Sequence, residues 1–175
     1  MTELVTAAPA PDRLFQGLVG IYGLAAVALT ADELKPVVDI LNDETRGYDR
    51  VAAGAALAAW LVRDPGNTTG LGAVLDVKLP ADGVAELVLK LLRGTASPAA
   101  PDPTELDRLV DQLSHPSVAV RELSLMNLLA VDPAAARTPG LTHDVGVAAG
   151  MAHDRFVKLW RGRIDEIKKR PPGKA

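Results

Sequence analysis

The sequence contains no cysteine and has only two each of tryptophan, tyrosine and phenylalanine among its 175 residues. The absence of cysteine excludes a disulfide scaffold and any zinc site built on thiolates, and it fits a reducing, cytoplasmic environment. With aromatic side chains so scarce, the 48% of the chain that is hydrophobic consists mainly of alanine, leucine and valine. These residues favour closely packed helices over sheets or base-stacking platforms.

Motifs that carry catalytic chemistry are also lacking. No glycine-rich phosphate loop follows a strand-like segment, and the serines at positions 97, 114, 117 and 124 have no nucleophile-elbow motif around them. The dipeptides His143-Asp144 and His153-Asp154 pair histidine with a carboxylate, as metal sites and general bases do. An aspartate in each place is equally a helix cap, and that interpretation is favoured. The sequence therefore predicts no enzyme, no catalytic residue, no metal and no cofactor.

No charged residue occurs among the 18 residues from Leu14 to Ala31. That length reaches the lower limit of a membrane span, but Gln16, Thr30 and the glycines reduce its hydrophobicity. We therefore predict no membrane span and a buried first helix instead. The glycines at 17, 20 and 23 are expected to let a neighbouring helix approach closely.

The stretch from His115 to Pro133 has the pattern of one complete helix. Pro116 suits a first helical turn, and Asp132-Pro133 supplies the stop. Apolar residues recur between them at three- and four-residue steps, which predicts one face packed in the core. The polar residues that fall away from this stripe are Arg121, Ser124 and Asn127.

Two parts of the chain share a helix-turn-helix pattern. Residues 31–43 match residues 103–115 at an offset of 72, and the helix that follows each matches at an offset of 68. The difference predicts a four-residue insertion in the first turn, near residues 44–47. Such internal similarity is typical of stacked helical repeats.

The segment HPSVAVR, residues 115–121, resembles the opening of the second helix of a HEAT-type repeat. The resemblance implies an all-α fold without a sheet, a right-handed stack of antiparallel helical hairpins with seven or eight helices. It further implies a non-catalytic protein-interaction or scaffolding module, of the kind found within larger bacterial proteins, whose partner is another protein or peptide. In that family the second helices of successive hairpins line the concave side, here residues 48–63 and 118–131.

The same resemblance directs attention to Arg121. Where the family has an aspartate that holds the arginine, this chain has His115. Two interpretations stay open: the arginine is released to a docking surface together with Ser124 and Asn127, or it pairs internally with Glu122, Asp111 or a backbone carbonyl.

The domain organisation follows from composition. We predict a flexible lead-in at 1–11, a single helical domain at 12–170 with an exposed proline-rich loop at 94–103, and a flexible tail at 171–175.

Charge is distributed unevenly over this domain. Residues 155–175 contain eight basic and two acidic residues, net +6, so the preceding 154 residues carry −9 of the overall −3. A basic face on the last helix makes nucleic-acid binding the less favoured alternative function. Its candidate residues are Arg155, Lys158, Arg161, Lys168, Lys169 and Arg170.

Overall fold

The computed structural model describes residues 11–94, 102–142, 145–146 and 150–169, with the side chains of residues 11–16 and 18 left aside. This part of the chain forms eight α-helices and two short 3₁₀ turns and contains no strand. The all-α prediction is thereby confirmed there, and the number of helices agrees with the predicted seven or eight. The helices are α1 Pro11–Val27, α2 Lys35–Leu41, α3 Gly47–Leu61, α4 Asn67–Lys78, α5 Val84–Leu92, α6 Pro103–Gln112, α7 Val118–Val131 and α8 Met151–Lys168.

Helix α6 begins as its sequence predicts. The Asp102 carboxylate accepts a hydrogen bond from the Thr104 N–H at 2.9 Å, and Pro103 occupies the first turn, where no N–H is required. Most of the predicted proline-rich loop before it lies outside the described residues.

Thr30 and Glu33 have the three-residue spacing of a capping box, which predicts a helix start there, but the start of α2 differs. Thr30 makes no side-chain capping bond, and the Glu33 carboxylate instead accepts from the Leu29 N–H at 2.8 Å. A 3₁₀ turn, Ala31–Leu34, comes first, and the α-helix begins at Lys35 with Pro36 in its first turn. Proline thus sets the start of the helix, because deeper inside it would break the hydrogen-bond ladder.

Helix α7 is the most enclosed element of the fold. It begins at Val118, two residues later than predicted, with Ser117 at the cap position and Pro116 before it. It packs against α2, α3, α5 and α6, so side chains on all sides of its first three turns are buried. The sequence predicts that only one apolar face of this helix is buried, whereas its polar side chains are buried as well.

Helix α1 packs along α3 in the same direction. Gly17 lies near the Asp49 carboxylate, while the Trp60 indole N–H donates to the Ala28 carbonyl at 3.1 Å. The Arg63 guanidinium adds a bond of 2.9 Å to the Ala25 carbonyl. The last turn of α1 is thereby tied to the end of α3.

The prediction that the first helix is buried is wrong for half of its circumference. Ile21 and Ala25 are buried against α3, but Val19 and Tyr22 on the far side are exposed. No helix of the described chain is both long and apolar enough to cross a membrane.

Neighbouring helices pair in chain order after α1. Helix α2 packs against α3, α4 against α5 and α6 against α7, while α8 packs against α6. The Lys78 ammonium contacts the Asp39 carboxylate at 2.7 Å and so ties α4 to α2. Helix α3 also packs against α7, and the junction of these two helices forms the surface described next.

Candidate binding groove

The junction of α3 and α7 is held by a buried ion pair. The Arg50 Nε donates to the Glu122 carboxylate at 2.8 Å, and neither side chain is more than 5% exposed. The Arg50 guanidinium also donates to the carbonyls of Asp43 and Glu44, in the loop before α3. These bonds replace the water contacts that the Arg50 guanidinium loses on burial, as a buried charge requires.

Arg121 makes a similar set of contacts from α7. Its guanidinium donates to the carbonyls of His115 and Pro116, before the helix, at 2.7 and 2.8 Å. It also donates to Val145 and Gly146 at 2.6 and 2.8 Å. Burial lowers the pKa of this side chain, while the nearby Glu44 carboxylate opposes the shift.

The prediction that Arg121, Ser124 and Asn127 project from the surface is wrong. The exposed fractions of the three residues are 0%, 0% and 8%. The Ser124 hydroxyl donates to the Gln112 side chain at 3.0 Å, and the Asn127 amide donates to the Leu91 carbonyl at 3.0 Å. Helices α5 and α6 cover the side of α7 that the apolar pattern left open. The second interpretation of Arg121, pairing with backbone carbonyls, is the one that the structure shows.

The contacts of Arg121 resemble those of Arg50. Each guanidinium donates to two consecutive backbone carbonyls before its helix, seven and six residues earlier for Arg50 and six and five residues earlier for Arg121.

Further along, α3 and α7 approach closely at Gly54. A Cβ placed there would lie 2.9 Å from the Met126 sulfur and 3.0 Å from a Leu123 methyl carbon. Because Arg50 faces Glu122 and Gly54 faces Met126, the two helices run in the same direction. Glycine at this point lets α7 lie close against α3.

An apolar groove opens on the solvent side of this contact, with a volume of about 380 Å³. Tyr48 and Val51 of α3, which are 70% and 46% exposed, form one wall. Leu125, Met126 and Leu129 of α7 form the other. A smaller depression of about 160 Å³ continues past Met126 along Ala58 and Ala130 and reaches Gly94.

Residues 48–63 are mostly small and apolar, a composition that predicts a helix buried on most sides and so gives no indication of this groove. Tyr48, Val51 and Val62 are in fact exposed. Val51 and Val62 lie three and fourteen residues after Tyr48, helical spacings that could have indicated a second apolar face.

The loop before α3, which leads to Gly47 and Tyr48 of the groove, contains two acidic residues. Glu44 is exposed, and Asp43 is half-buried. Hydrogen bonds from Thr45 lower the pKa of the Asp43 carboxyl, so this carboxyl is ionised at neutral pH. Arg46 of the same loop is also exposed, so the loop carries charges of both signs.

The predicted basic face on α8 is partly neutralised. The Arg161 guanidinium contacts the Asp111 carboxylate at 2.9 Å, and Lys168 pairs with Asp107, both on α6. Arg155 and Lys158 border an open cavity of about 620 Å³. Lys169 is exposed, and Arg170 lies outside the described residues.

The histidines form no metal centre in the described chain, where no cluster of three or more potential ligands occurs. His153 is buried, with its Nε2 3.2 Å from the Ser114 hydroxyl. Burial lowers the pKa of His115, whose Nδ1 accepts a bond from the Ser117 N–H. The dipeptide His143-Asp144 lies outside the described residues.

Comparisons with protein-family models, with curated proteins and with solved structures return no match to this chain.

Proposed function

We propose that this chain is a non-catalytic protein-interaction module that binds a segment of another protein in the groove between α3 and α7. The observation that carries the proposal is the exposure of Tyr48 and Val51 opposite the leucines and methionine of α7. An apolar cleft left open to water is a common feature of binding sites for peptides and helices.

The HEAT-like organisation belongs to the same proposal. Its support is the equivalent use of Arg50 and Arg121 to hold the carbonyls that precede their helices. In a HEAT-like stack the second helices line the binding side, and α3 and α7 correspond to those helices. The right-handed stacking and the cytoplasmic location are further parts of this proposal.

The chemistry of the groove defines the partner. Two apolar side chains on one face of a helix or strand fit the space between Val51 and Leu129, and methionine adapts to different shapes. Basic residues next to these anchors would be attracted by a body whose first 154 residues carry a net charge of −9. We therefore infer a basic, amphipathic partner segment.

Nucleic-acid binding through α8 is the competing proposal. The pairing of Arg161 and Lys168 with carboxylates of α6 weighs against it, because a phosphate backbone would have to displace those partners. The acidic body would repel nucleic acid from the remaining surface.

Selection from a library of displayed 16-residue peptides tests the proposed function. We expect the enriched peptides to share two apolar anchors with flanking lysine or arginine. Val51→Asp should weaken their binding at least tenfold, because a buried carboxylate would face the apolar anchors.

Val77→Asp is the matched control, since Val77 is likewise an exposed valine but lies on α4. It should leave peptide binding unchanged. Failure to enrich any common pattern, or equal effects of the two substitutions, would contradict the proposal.

A further inference from the structure

The side of α1 that faces away from α3 is apolar and exposed. Val19 is 54% exposed, Tyr22 47% and Val27 70%, and Leu29, just after the helix, is 84% exposed. No charged residue occurs between Leu14 and Ala31. A helix at the end of a helical array normally has a polar outer face, so this surface calls for a covering partner.

Two glycines lie in the middle of this face. A Cβ added at Gly20 or Gly23 would meet nothing within 4 Å in the described chain, so neither glycine serves close packing there. Both sit inside an α-helix, where glycine is less favourable than alanine. A neighbouring helix is expected at the glycines of α1, and within the described residues it is found only near Gly17, which lies close to Asp49 of α3. The described chain leaves the space beside Gly20 and Gly23 to another molecule.

Charge points to the identity of that molecule. The first 154 residues carry a net charge of −9 and the last 21 carry +6, so the acidic parts of two copies of this chain would repel each other. The outer face of α1 has no charge, so two acidic bodies can meet there without bringing carboxylates together. A basic partner, in contrast, would gain no electrostatic attraction from this face.

We propose that two copies of this chain associate through the outer faces of their α1 helices. In a twofold arrangement the helices cross at Gly20 and Gly23, and Tyr22 of each copy packs over the glycines of the other. Such a contact is self-complementary, as a symmetric dimer requires. A single pair of crossing helices buries less surface than a standard interface, so the dimer is expected to be weak.

This association is independent of the groove between α3 and α7. Helix α1 packs on α3 through the region of Asp49 and Trp60, whereas α7 packs through Arg50 and Gly54. The two neighbours thus lie on different sides of α3.

Sedimentation equilibrium from about 5 to 200 μM tests the proposal, a range suited to a small interface. We expect the average mass of the full chain to rise from monomer towards dimer. Gly23→Glu should hold the chain at the monomer mass, while Val77→Glu, on the exposed side of α4, should behave as the unchanged protein.

A second variant separates association from folding. The double substitution Gly20→Ala and Gly23→Ala should raise the melting temperature of the dilute monomer, because alanine favours helix. It should nevertheless weaken dimerisation at least fivefold, because two methyl groups fill the crossing point.

Other results would overturn the proposal. A monomer at every concentration would do so, as would a dimer that Gly23→Glu leaves intact. A monomeric full chain that dimerises only after removal of residues 2–10 would show instead that the chain's own N-terminal segment covers α1.

Discussion

At the scale of single residues, Arg121 connects α7 to the segments that precede and follow it. Its guanidinium donates to four carbonyls, and two of these bonds reach residues 145 and 146, beyond the end of α7. An arginine can satisfy so many acceptors because its donors are fixed in a planar fork. The side chain therefore acts as an internal connector.

We expect Arg121→Ala to lower the free energy of unfolding by about 3–5 kcal/mol, because buried carbonyls lose their donor. Arg121→Lys should recover only part of this, since one ammonium cannot reach all four acceptors. Urea unfolding followed by circular dichroism measures the change. Arg93→Ala is the control, because Arg93 is exposed and bonds only the Thr68 hydroxyl among the described contacts. Equal losses for Arg121→Ala and Arg93→Ala would show that the carbonyl contacts contribute little.

At this scale, the contacts that could be predicted are hydrogen bonds between a side chain and the backbone one or two residues away. The Asp102 cap was predictable because an aspartate before proline has few local alternatives. The capping box expected at Thr30 does not form, because the Glu33 carboxylate accepts from the N–H of Leu29 instead of the N–H of Thr30. The position of Arg121 could not be predicted, because its acceptors at 145 and 146 are distant in sequence.

At the scale of elements, α1 depends on α3 for its attachment. The chain from Ala25 to Ala28 is held by Arg63 and Trp60, and Trp60 is almost completely buried. Since the far side of α1 has no partner within the described chain, this attachment determines how firmly the helix stays in place.

We expect Trp60→Ala to destabilise the protein by about 3–5 kcal/mol, because the small residues around it cannot fill the cavity. Trp60→Phe keeps most of the ring but removes the donor to the Ala28 carbonyl, at a cost of about 1–2 kcal/mol. Hydrogen exchange by mass spectrometry should show faster exchange in α1 than in α7 for Trp60→Phe. Equal acceleration in both helices would contradict a local role for this bond.

Helix positions were largely predictable, and their surroundings were not. The period of apolar residues predicts helices at about 80–93 and 154–169, and α5 and α8 match these bounds within four residues at each end, since each has one clear inward face. The same period cannot tell which other helices cover the polar side of α7 or leave α1 and α3 exposed. Ser124 and Asn127 illustrate this, because α5 and α6 supply their partners.

At the scale of the whole molecule, α1 and α7 flank α3 and leave two apolar surfaces open. One is the groove to which we assign a basic, amphipathic segment, and the other is the outer face of α1. An acidic body fits both assignments: it attracts a basic partner to the groove and restricts self-association to the uncharged face.

The groove assignment is tested most directly by the methionine methyl groups of the protein. Met126 lines the groove, whereas Met151 is exposed at the start of α8. In a protein labelled with ¹³C at these methyl groups, a peptide selected for binding should shift or broaden the Met126 signal as it saturates. The Met151 signal should stay in place, and Met126→Leu and Met151→Leu identify the two resonances. A selected peptide that moves the Met151 signal and leaves Met126 unchanged would show that binding occurs elsewhere and would contradict the proposed function of the groove.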